Sequence, residues 1–234
     1  MNARVDFPLV ILDCDGTIVD SQSAICAIMQ ECFVTHGLTP PEAAAVRRIV
    51  GLSLNEAIAR LLSFPTAGDP ALMADTYRSV SSRIRAEGAF EEPMFPGARS
   101  AIEGLTVAGC VLGIATGKSS GGLRNTLVAH GIEGYFTTLQ TSDIAAGKPN
   151  PDMLLRAMRE TGAPVHATVM VGDTTYDMEM ARAAGTYAIG VSWGYHDIES
   201  LRMAGAHCIL DSYSDLIPAI RDILTLDDDR RWVP

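Results

Sequence analysis

Two carboxylates stand one residue apart near the start of the chain, in the sequence Asp13-Cys14-Asp15-Gly16-Thr17. Because side chains alternate along a strand, two such residues at a strand end share a face and can both reach one substrate. Gly16 then lets the backbone turn sharply. This spacing suits a nucleophile beside a group that gives and takes a proton. An acidic turn or a metal-binding loop is the alternative interpretation of these five residues alone.

Polar residues in three other segments could join these two aspartates. Thr116-Gly117-Lys118-Ser119 ends one apolar run, the segment from Gly172 to Asp177 ends another, and Lys148-Pro149 precedes a helical pattern. In open α/β sheets, ligands bind beyond the carboxyl ends of the strands. The four segments together therefore predict a single site at one edge of a sheet.

The elements that would position these residues alternate along the chain. Short apolar runs bounded by turn or polar residues predict buried parallel strands at 7–13, 110–116, 135–143, 167–173, 186–192 and 207–212. Helical patterns lie between some of them, at 97–108, 151–162 and 177–185. Strands that alternate with helices predict a doubly wound, mostly parallel α/β sheet.

Residues 20–92 break this alternation, because they carry helix signals and almost no strand signal. Apolar residues between Ile25 and Phe33 recur at helical spacing, and Gly37 follows them. We therefore predict two domains: an α/β core formed by residues 1–19 and 93–234, and a helical cap domain, here called the cap segment, formed by residues 20–92. The segments 19–21 and 92–97 are the expected hinges between them.

Three helix starts are predicted inside the cap segment. Thr39 with Glu42, and Ser53 with Glu56, have the spacing of capping boxes. Asp69 followed by proline predicts the N-cap of a longer helix.

Composition excludes several classes of partner. The 234 residues carry a net charge of −10, with 47% hydrophobic and 20% charged residues, which is typical of a folded soluble protein. Without a basic stripe, this charge predicts that nucleic acid is not a partner. The N-terminus has neither a signal-peptide cleavage site nor an apolar span of ~20 residues, which predicts a cytoplasmic protein without a membrane partner. The acidic tail at 226–234 is expected to be solvated.

Cysteine and histidine give little support for other chemistries. The five cysteines are scattered and lack C-x-x-C spacing, which predicts reduced thiols rather than disulfides or a zinc site. The five histidines are also dispersed, so a histidine metal site or a Ser-His-Asp triad is not indicated.

The four polar segments together resemble the motifs of the haloacid dehalogenase superfamily. DCDGT is similar to its first motif, Thr116 to its second, Lys148 to its third and GDTTYD to its fourth, in the same order and spacing across nearly the whole chain. The cap segment resembles the helical cap of the subfamily that includes phosphoglycolate phosphatases, β-phosphoglucomutases and related pyrophosphatases. The late segments GVSWGY and AHCILDSYSDL look most like the phosphoglycolate phosphatases.

The resemblance implies a role for each matching residue. Asp13 would attack phosphorus, while Asp15 would protonate the leaving oxygen and later deprotonate the attacking water. Thr116 and the Gly117 N–H would hold phosphoryl oxygens. Lys148 would lie between Asp13 and the phosphate and reduce their repulsion.

The resemblance also implies a magnesium site. Asp13, Asp173 and the backbone carbonyl of Asp15 would ligate Mg²⁺, which prefers oxygen ligands, and Asp177 would orient this shell or Lys148. The carboxylates of Asp13, Asp15, Asp173 and Asp177 together carry four negative charges, whereas Mg²⁺ and Lys148 supply only three positive charges. We therefore expect Asp15 to hold a proton before the reaction, which is also the state that a general acid needs.

Three features depart from the motifs or leave alternatives open. The second motif commonly carries asparagine where this chain has Gly117, which removes one side-chain amide from phosphate binding. Lys118 is either solvated, as a lysine just past a strand usually is, or a phosphate ligand. Arg47 and Arg48 resemble the cap loop that reaches over the active site. Arg48 is either a partner for a substrate carboxylate or a solvated helix residue.

These observations predict a phosphatase that acts on a small phosphorylated metabolite, with phosphoglycolate as the first candidate and a monomer or homodimer as the expected assembly. A β-phosphoglucomutase-like phosphotransferase and a pyrophosphatase are the alternatives within the family. Dehalogenase and phosphonatase chemistry are disfavoured, because those enzymes are expected to lack a carboxylate at the position of Asp15. A non-catalytic phospho-acceptor or scaffold, similar to receiver domains, is the alternative from another class.

Overall fold

The computed structural model describes residues 7–62 and 68–226. The side chains of the tail at 226–234, which the sequence predicts to be solvated, lie outside the described residues. All five cysteines are described and have free thiols.

One sheet of parallel strands forms the centre of the protein. Its strands are β1 (Leu9–Leu12), β2 (Val111–Thr116), β3 (Thr138–Thr141), β4 (Thr168–Gly172), β5 (Tyr187–Val191) and β6 (Cys208–Leu210). They are ordered β3-β2-β1-β4-β5-β6, and every pair is parallel. Each observed strand lies within one predicted run. The order reverses between β1 and β4, which is the point where open α/β sheets bind ligands.

Helices cover both faces of this sheet. Those of the core are α5 (Ala98–Val107), α6 (Ser120–Ala129), α7 (Asp152–Thr161), α8 (Thr175–Ala184), α9 (Ile198–Ala204) and α10 (Leu216–Leu226). Val10 and Leu12 pack on one face with residues of α5, α6 and α10, whereas Leu9 and Ile11 pack on the other with residues of α7, α8 and α9. The alternation of buried side chains along β1 therefore requires helices on both sides, and the predicted doubly wound fold is confirmed.

The cap segment folds into helices of its own. These are α1 (Gln22–Thr35), α2 (Ala43–Arg47), α3 (Leu54–Leu61) and α4 (Pro70–Ala86). Met29, Phe33, Ile58 and Met73 belong to a buried apolar cluster separate from the two sheet-facing clusters. Two linkers connect the cap segment to the core, and we name them the first linker (19–21) and the second linker (92–97). They contact each other, because the Asp20 N–H donates to the Pro93 carbonyl oxygen at 2.8 Å.

The predicted helix starts in the cap segment are only partly correct. Asp69 caps α4 through a hydrogen bond from the Ala71 N–H to its Oδ1 at 2.9 Å, as predicted. Ser53 precedes α3, but its side chain makes no capping hydrogen bond. The capping box at Thr39 is wrong, because α2 begins at Ala43 with Glu42 as its N-cap residue. Residues that precede a proline avoid helical backbone angles, so Pro40 and Pro41 delay the helix.

Within the described ranges, no helix is long and apolar enough to cross a membrane.

Candidate active site

The candidate nucleophile lies at the carboxyl end of β1. Asp13 is completely buried, and its N–H donates to the Val171 carbonyl oxygen of β4 at 2.9 Å. Asp173 follows β4, the neighbouring strand, so the two aspartates meet at the switch point of the sheet. One carboxylate oxygen from each of Asp13, Asp173 and Asp177 lies within 4.8 Å of the other two.

Lys148 extends into this acidic cluster from the connection between β3 and α7. Its Nζ lies 2.8 Å from Asp13 Oδ1 and 2.6 Å from Asp177 Oδ1. Burial alone would lower the pKa of Lys148, but the two carboxylates outweigh burial and raise this pKa above its usual range. Lys148 is therefore a fully buried, charged lysine held beside the candidate nucleophile.

Asp177 fixes the position of Lys148 from the first turn of α8. Its Oδ2 accepts hydrogen bonds from the Thr174 N–H at 3.1 Å and the Thr174 Oγ1 at 2.7 Å, which completes a capping box. Its other oxygen, Oδ1, faces Lys148. The capping box thus restrains the Asp177 carboxylate and leaves its Oδ1 directed at Lys148, which agrees with the expected orienting role of Asp177.

Asp173 is held by groups from two different loops. Its Oδ1 accepts from Thr17 Oγ1 at 2.9 Å, and its Oδ2 accepts from the Tyr195 N–H at 2.9 Å. A Cβ at Gly16 or at Gly194 would overlap the Asp173 side chain, so both loops need glycine there. Gly16 also has a φ of 82°, which favours glycine. The sequence did not indicate the role of the Gly194-Tyr195 loop.

The electrostatics of this cluster favour a bound cation. Burial raises the pKa of Asp13 to about 7, with Lys148 opposing the rise. Burial also raises the pKa of Asp173, and the carboxylates of Asp13 and Asp177 add to this effect. Asp13 Oδ2 is buried and makes no hydrogen bond with the described residues. Mg²⁺ prefers oxygen ligands, and this cluster offers carboxylate oxygens, one of them without a hydrogen bond. A bound Mg²⁺ would relieve the repulsion between the carboxylates.

Asp15 lies in a second group of charges, next to the two linkers. Its Oδ1 accepts a hydrogen bond from Ser21 Oγ and lies 2.9 Å from Lys118 Nζ. Lys118 Nζ in turn lies 2.6 Å from Glu92 Oε1 in the second linker. Burial opposes a charged lysine here, but the neighbouring acidic groups raise the pKa of Lys118 above its usual range.

Of the two alternatives for Lys118, the solvated one is therefore wrong. Its side chain is 12% exposed and ion-paired on two sides. One of its two partners, Glu92, was not indicated by the sequence as a functional residue. This residue lies 26 positions before Lys118, so no local pattern connects them.

Thr116 and Gly117 occupy the end of β2, as predicted. Thr116 is fully buried, and its Oγ1 accepts from the Lys118 N–H at 3.2 Å. A Cβ at Gly117 would collide with the carbonyl groups of Gly51 and Leu52 from the cap segment. The close approach of this loop accounts for glycine at a position where the resembling motif commonly carries asparagine.

A cavity of about 630 Å³ opens between the cap segment and the core. Asp15 and Lys118 line it from the core side, and Arg78, Arg85 and Phe90 line it from the cap side. Arg48 is not among its lining residues. The Arg48 side chain is exposed, and its carbonyl oxygen accepts a hydrogen bond from Tyr176 Oη at 2.9 Å. The structure thus joins Asp13, Lys148, Asp173 and Asp177 in one cluster and places Asp15 and Gly117 at the cavity, whereas Arg48 does not line the cavity.

Comparison with known proteins is consistent with this site. A family model described as haloacid dehalogenase-like hydrolase matches residues 10–191. The probable phosphatase IndB of Dickeya dadantii is 34% identical over 222 residues, covering 94% of this chain and 96% of that protein. A phosphoglycolate phosphatase of Agrobacterium fabrum is 28% identical over 222 residues, covering 94% and 95%. The chain therefore belongs to the haloacid dehalogenase-like hydrolase family.

Solved structures support the same fold. A phosphonoacetaldehyde hydrolase-like protein from Oleispira antarctica superposes with a TM-score of 0.81 at 25% identity, covering 95% of each chain. A hydrolase from Pseudomonas syringae superposes with a TM-score of 0.80 at 24% identity, covering 93% of this chain and 99% of that one. The predicted family, fold and enzyme class, a phosphatase, are confirmed.

Proposed function

We propose that this protein is a Mg²⁺-dependent phosphatase that hydrolyses a small organic phosphate monoester through an aspartyl-phosphate on Asp13. The observation that carries the proposal is the setting of Asp13. A buried carboxylate with one free oxygen stands beside a buried, charged lysine at the switch point of the sheet. A nucleophile must be free to attack and must be relieved of repulsion by an anionic target, and this setting supplies both conditions.

In the first step, an Asp13 oxygen forms a bond to phosphorus while the bond from phosphorus to the leaving oxygen breaks. Asp15 gives its proton to that oxygen, so the product leaves as a neutral alcohol. Lys148 offsets the charge between Asp13 and the phosphoryl group. Thr116 and the Gly117 N–H, at the end of the neighbouring strand, hold phosphoryl oxygens.

In the second step, a water attacks the phosphorus of the aspartyl-phosphate and gives its proton to Asp15. The bond between phosphorus and Asp13 breaks, which releases inorganic phosphate and restores both aspartates. Asp15 thus acts first as an acid and then as a base, so its protonation returns to the starting state after each turnover.

Asp13, Asp173 and the Asp15 carbonyl would hold the Mg²⁺. Asp177 belongs to the same acidic cluster, but its Oδ1 already has a cation as its partner, Lys148, and its Oδ2 completes the capping box of α8, so it serves better as an orienting group. The bound cation supplies positive charge that stabilises the transferring phosphoryl group. Thr17 and the Tyr195 N–H hold the Asp173 carboxylate in place, and both are neutral donors that leave its charge uncompensated.

Two observations bear on the substrate: the names of the relatives and the size of the cavity. Phosphoglycolate is the first candidate, because several relatives at 26–28% identity are named phosphoglycolate phosphatases. A sugar phosphate is the second candidate, because a cavity of about 630 Å³ exceeds the needs of a two-carbon leaving group. Neutral polar residues that suit hydroxyl groups line this cavity, including Ser81, Ser82 and Asn125. We further propose a cytoplasmic monomer or homodimer.

Phosphate release from a panel of compounds tests the proposal. The panel holds phosphoglycolate, pentose and hexose phosphates, nucleotides and pyrophosphate, each with Mg²⁺ or with EDTA. We expect Mg²⁺-dependent turnover of at least one monoester, and loss of that turnover in Asp13→Asn. Interconversion of sugar phosphates without phosphate release would indicate a mutase instead. A single stoichiometric phosphorylation without turnover would indicate a phospho-acceptor.

A further inference from the structure

Asp15 is held from both linkers between the cap segment and the core. Ser21, in the first linker, donates a hydrogen bond to Asp15 Oδ1. Lys118 contacts the same oxygen at 2.9 Å and reaches 2.6 Å from Glu92 Oε1 in the second linker. The carboxylate that lines the cavity is thus bounded by groups that belong to, or are held by, the two connections of the cap segment.

Glu92 is itself fixed by the core. Its Oε2 accepts a hydrogen bond from Thr126 Oγ1 at 2.9 Å, and its backbone carbonyl lies 2.7 Å from His130 Nε2. Arg85 of α4 approaches the same Oε2 at 3.5 Å from the cap segment. The Glu92 side chain is 5% exposed, a degree of burial that a carboxylate tolerates when it is paired and hydrogen-bonded.

These contacts restrict the movement of the Lys118 and Asp15 side chains. A lysine side chain has many rotamers and loses entropy when it is fixed, so a lysine alone holds a carboxylate poorly. Glu92 restrains Lys118 from the opposite side and compensates its charge, which leaves Asp15 with a fixed partner. A proton donor must stay within hydrogen-bond reach of the leaving oxygen, so a fixed Asp15 favours transfer.

We propose that Lys118 and Glu92 are positioning residues that hold Asp15 in place for proton transfer to the leaving group. This role rests on the proposed phosphatase function. It places the support for the acid and base step at the linkers, separate from the cluster that holds Asp13. The competing role for Lys118, which also lines the cavity, is direct contact with substrate phosphate.

The dependence of the rate on the leaving group separates these roles. An alkyl phosphate needs a proton on its leaving oxygen, whereas p-nitrophenyl phosphate expels a stable phenolate without one. kcat/KM is the quantity to compare, because it reports the steps up to loss of the leaving group. We expect Lys118→Met to lower kcat/KM by about 100-fold for the alkyl phosphate and by less than about 5-fold for the aryl phosphate.

Further variants control for packing and folding. Glu92→Gln should show the same contrast with a loss of about 10-fold for the alkyl phosphate, and Lys118→Arg should recover part of the loss. Arg124→Met is the matched control, because it removes an exposed ion pair between α6 and Glu133 and leaves the contacts of Glu92 and Lys118 intact. If Lys118→Met does not fold, the double variant Lys118→Met/Glu92→Gln, which removes both charges, should show the contrast.

The outcomes are distinct. Selective loss for the alkyl phosphate in the Lys118 and Glu92 variants, but not in Arg124→Met, supports the positioning role. Equal losses for both substrates, or a rise in KM alone, overturn it and assign Lys118 to phosphate binding. A wild-type protein that hydrolyses neither substrate overturns the proposed function, and the positioning role with it.

Discussion

Two groups of charged residues flank the reaction centre, and they are built in different ways. The first group, Asp13, Lys148, Asp173 and Asp177, comes entirely from the core: two residues follow strands, one lies in the first turn of a helix, and Lys148 lies in the connection between β3 and α7. The second group, Asp15, Lys118 and Glu92, depends on the linkers of the cap segment. The first group would form the covalent bond, and the second would move the proton. The bond-forming group thus rests on the rigid sheet, and the proton-transfer group rests on the connections to the cap.

The largest expected effect comes from the candidate nucleophile. Asp13→Asn should lower kcat by about 10⁴-fold or more for every substrate, because the amide cannot form the covalent intermediate. The variant should fold, since it removes a charge from a buried acidic cluster. Phosphate release and circular dichroism check both parts. Retained turnover in Asp13→Asn would assign the nucleophile to another group.

Lys148→Met tests whether the two lysines have different roles, when its effects on the two substrates are compared with those of Lys118→Met. We expect it to lower kcat/KM by about 10³-fold for alkyl and aryl phosphates alike, because Lys148 serves the phosphoryl group rather than the leaving group. It should also destabilise the metal-free protein by about 3 kcal/mol, because Asp13 and Asp177 lose their shared cation. Denaturant unfolding measures this change. A loss confined to the alkyl phosphate would place Lys148 in the proton-transfer group instead.

The pH dependence of stability tests the electrostatics of the first group. The folded protein holds a proton on Asp13 up to about pH 7, whereas the unfolded chain releases it near 3.8. The contribution of Asp13 to the free energy of unfolding is therefore fully present below pH 3.8, and it is lost as the pH rises through about 7. In EDTA, the denaturant concentration at which half of the protein is unfolded should therefore fall as the pH is raised from 5 to 8.

Two comparisons control this experiment. Mg²⁺ should reduce the fall, because it compensates the ionised carboxylates, and Asp13→Asn in EDTA should show a smaller fall than wild type. Parallel pH profiles for wild type and Asp13→Asn would contradict the assignment of this dependence to Asp13.

The smallest expected effect is that of Arg48→Ala. Because the Arg48 side chain is exposed and does not line the cavity, kcat/KM should change by less than about 2-fold for both phosphoglycolate and p-nitrophenyl phosphate. A selective rise in KM for phosphoglycolate would restore Arg48 as a partner of the substrate carboxylate.

The sequence was sufficient for the sheet and for the first group of charges. Buried parallel strands have continuous apolar runs, and three of the runs here stop at a predicted site residue, namely Asp13, Thr116 and Asp173. Parallel strands present their carboxyl ends at one edge, so these residues had to converge. Helix α6 was harder to recognise, because Gly121 and Gly122 in its first turn weaken the helix signal.

The second group could not be predicted, because its contacts join distant segments. Nothing in the local sequence of Lys118 indicates that Glu92 will pair with it, and a charged residue near a proline-rich linker normally suggests a solvated surface. The same limit applies to Gly117, whose lack of a side chain makes sense only once the Gly51-Leu52 carbonyls are seen beside it. Lone charges and glycines therefore need the tertiary contacts before a role can be assigned.

The most direct test of the central claim is to trap the phosphorylated enzyme. Asp15→Asn mixed with p-nitrophenyl phosphate and Mg²⁺ should form the covalent bond, because this leaving group needs no proton, and should hydrolyse it slowly, because the base is missing. After acid quenching, mass spectrometry should locate one phosphoryl group on the peptide that contains Asp13. An adduct on another residue, or none while nitrophenol is still released, would contradict the account.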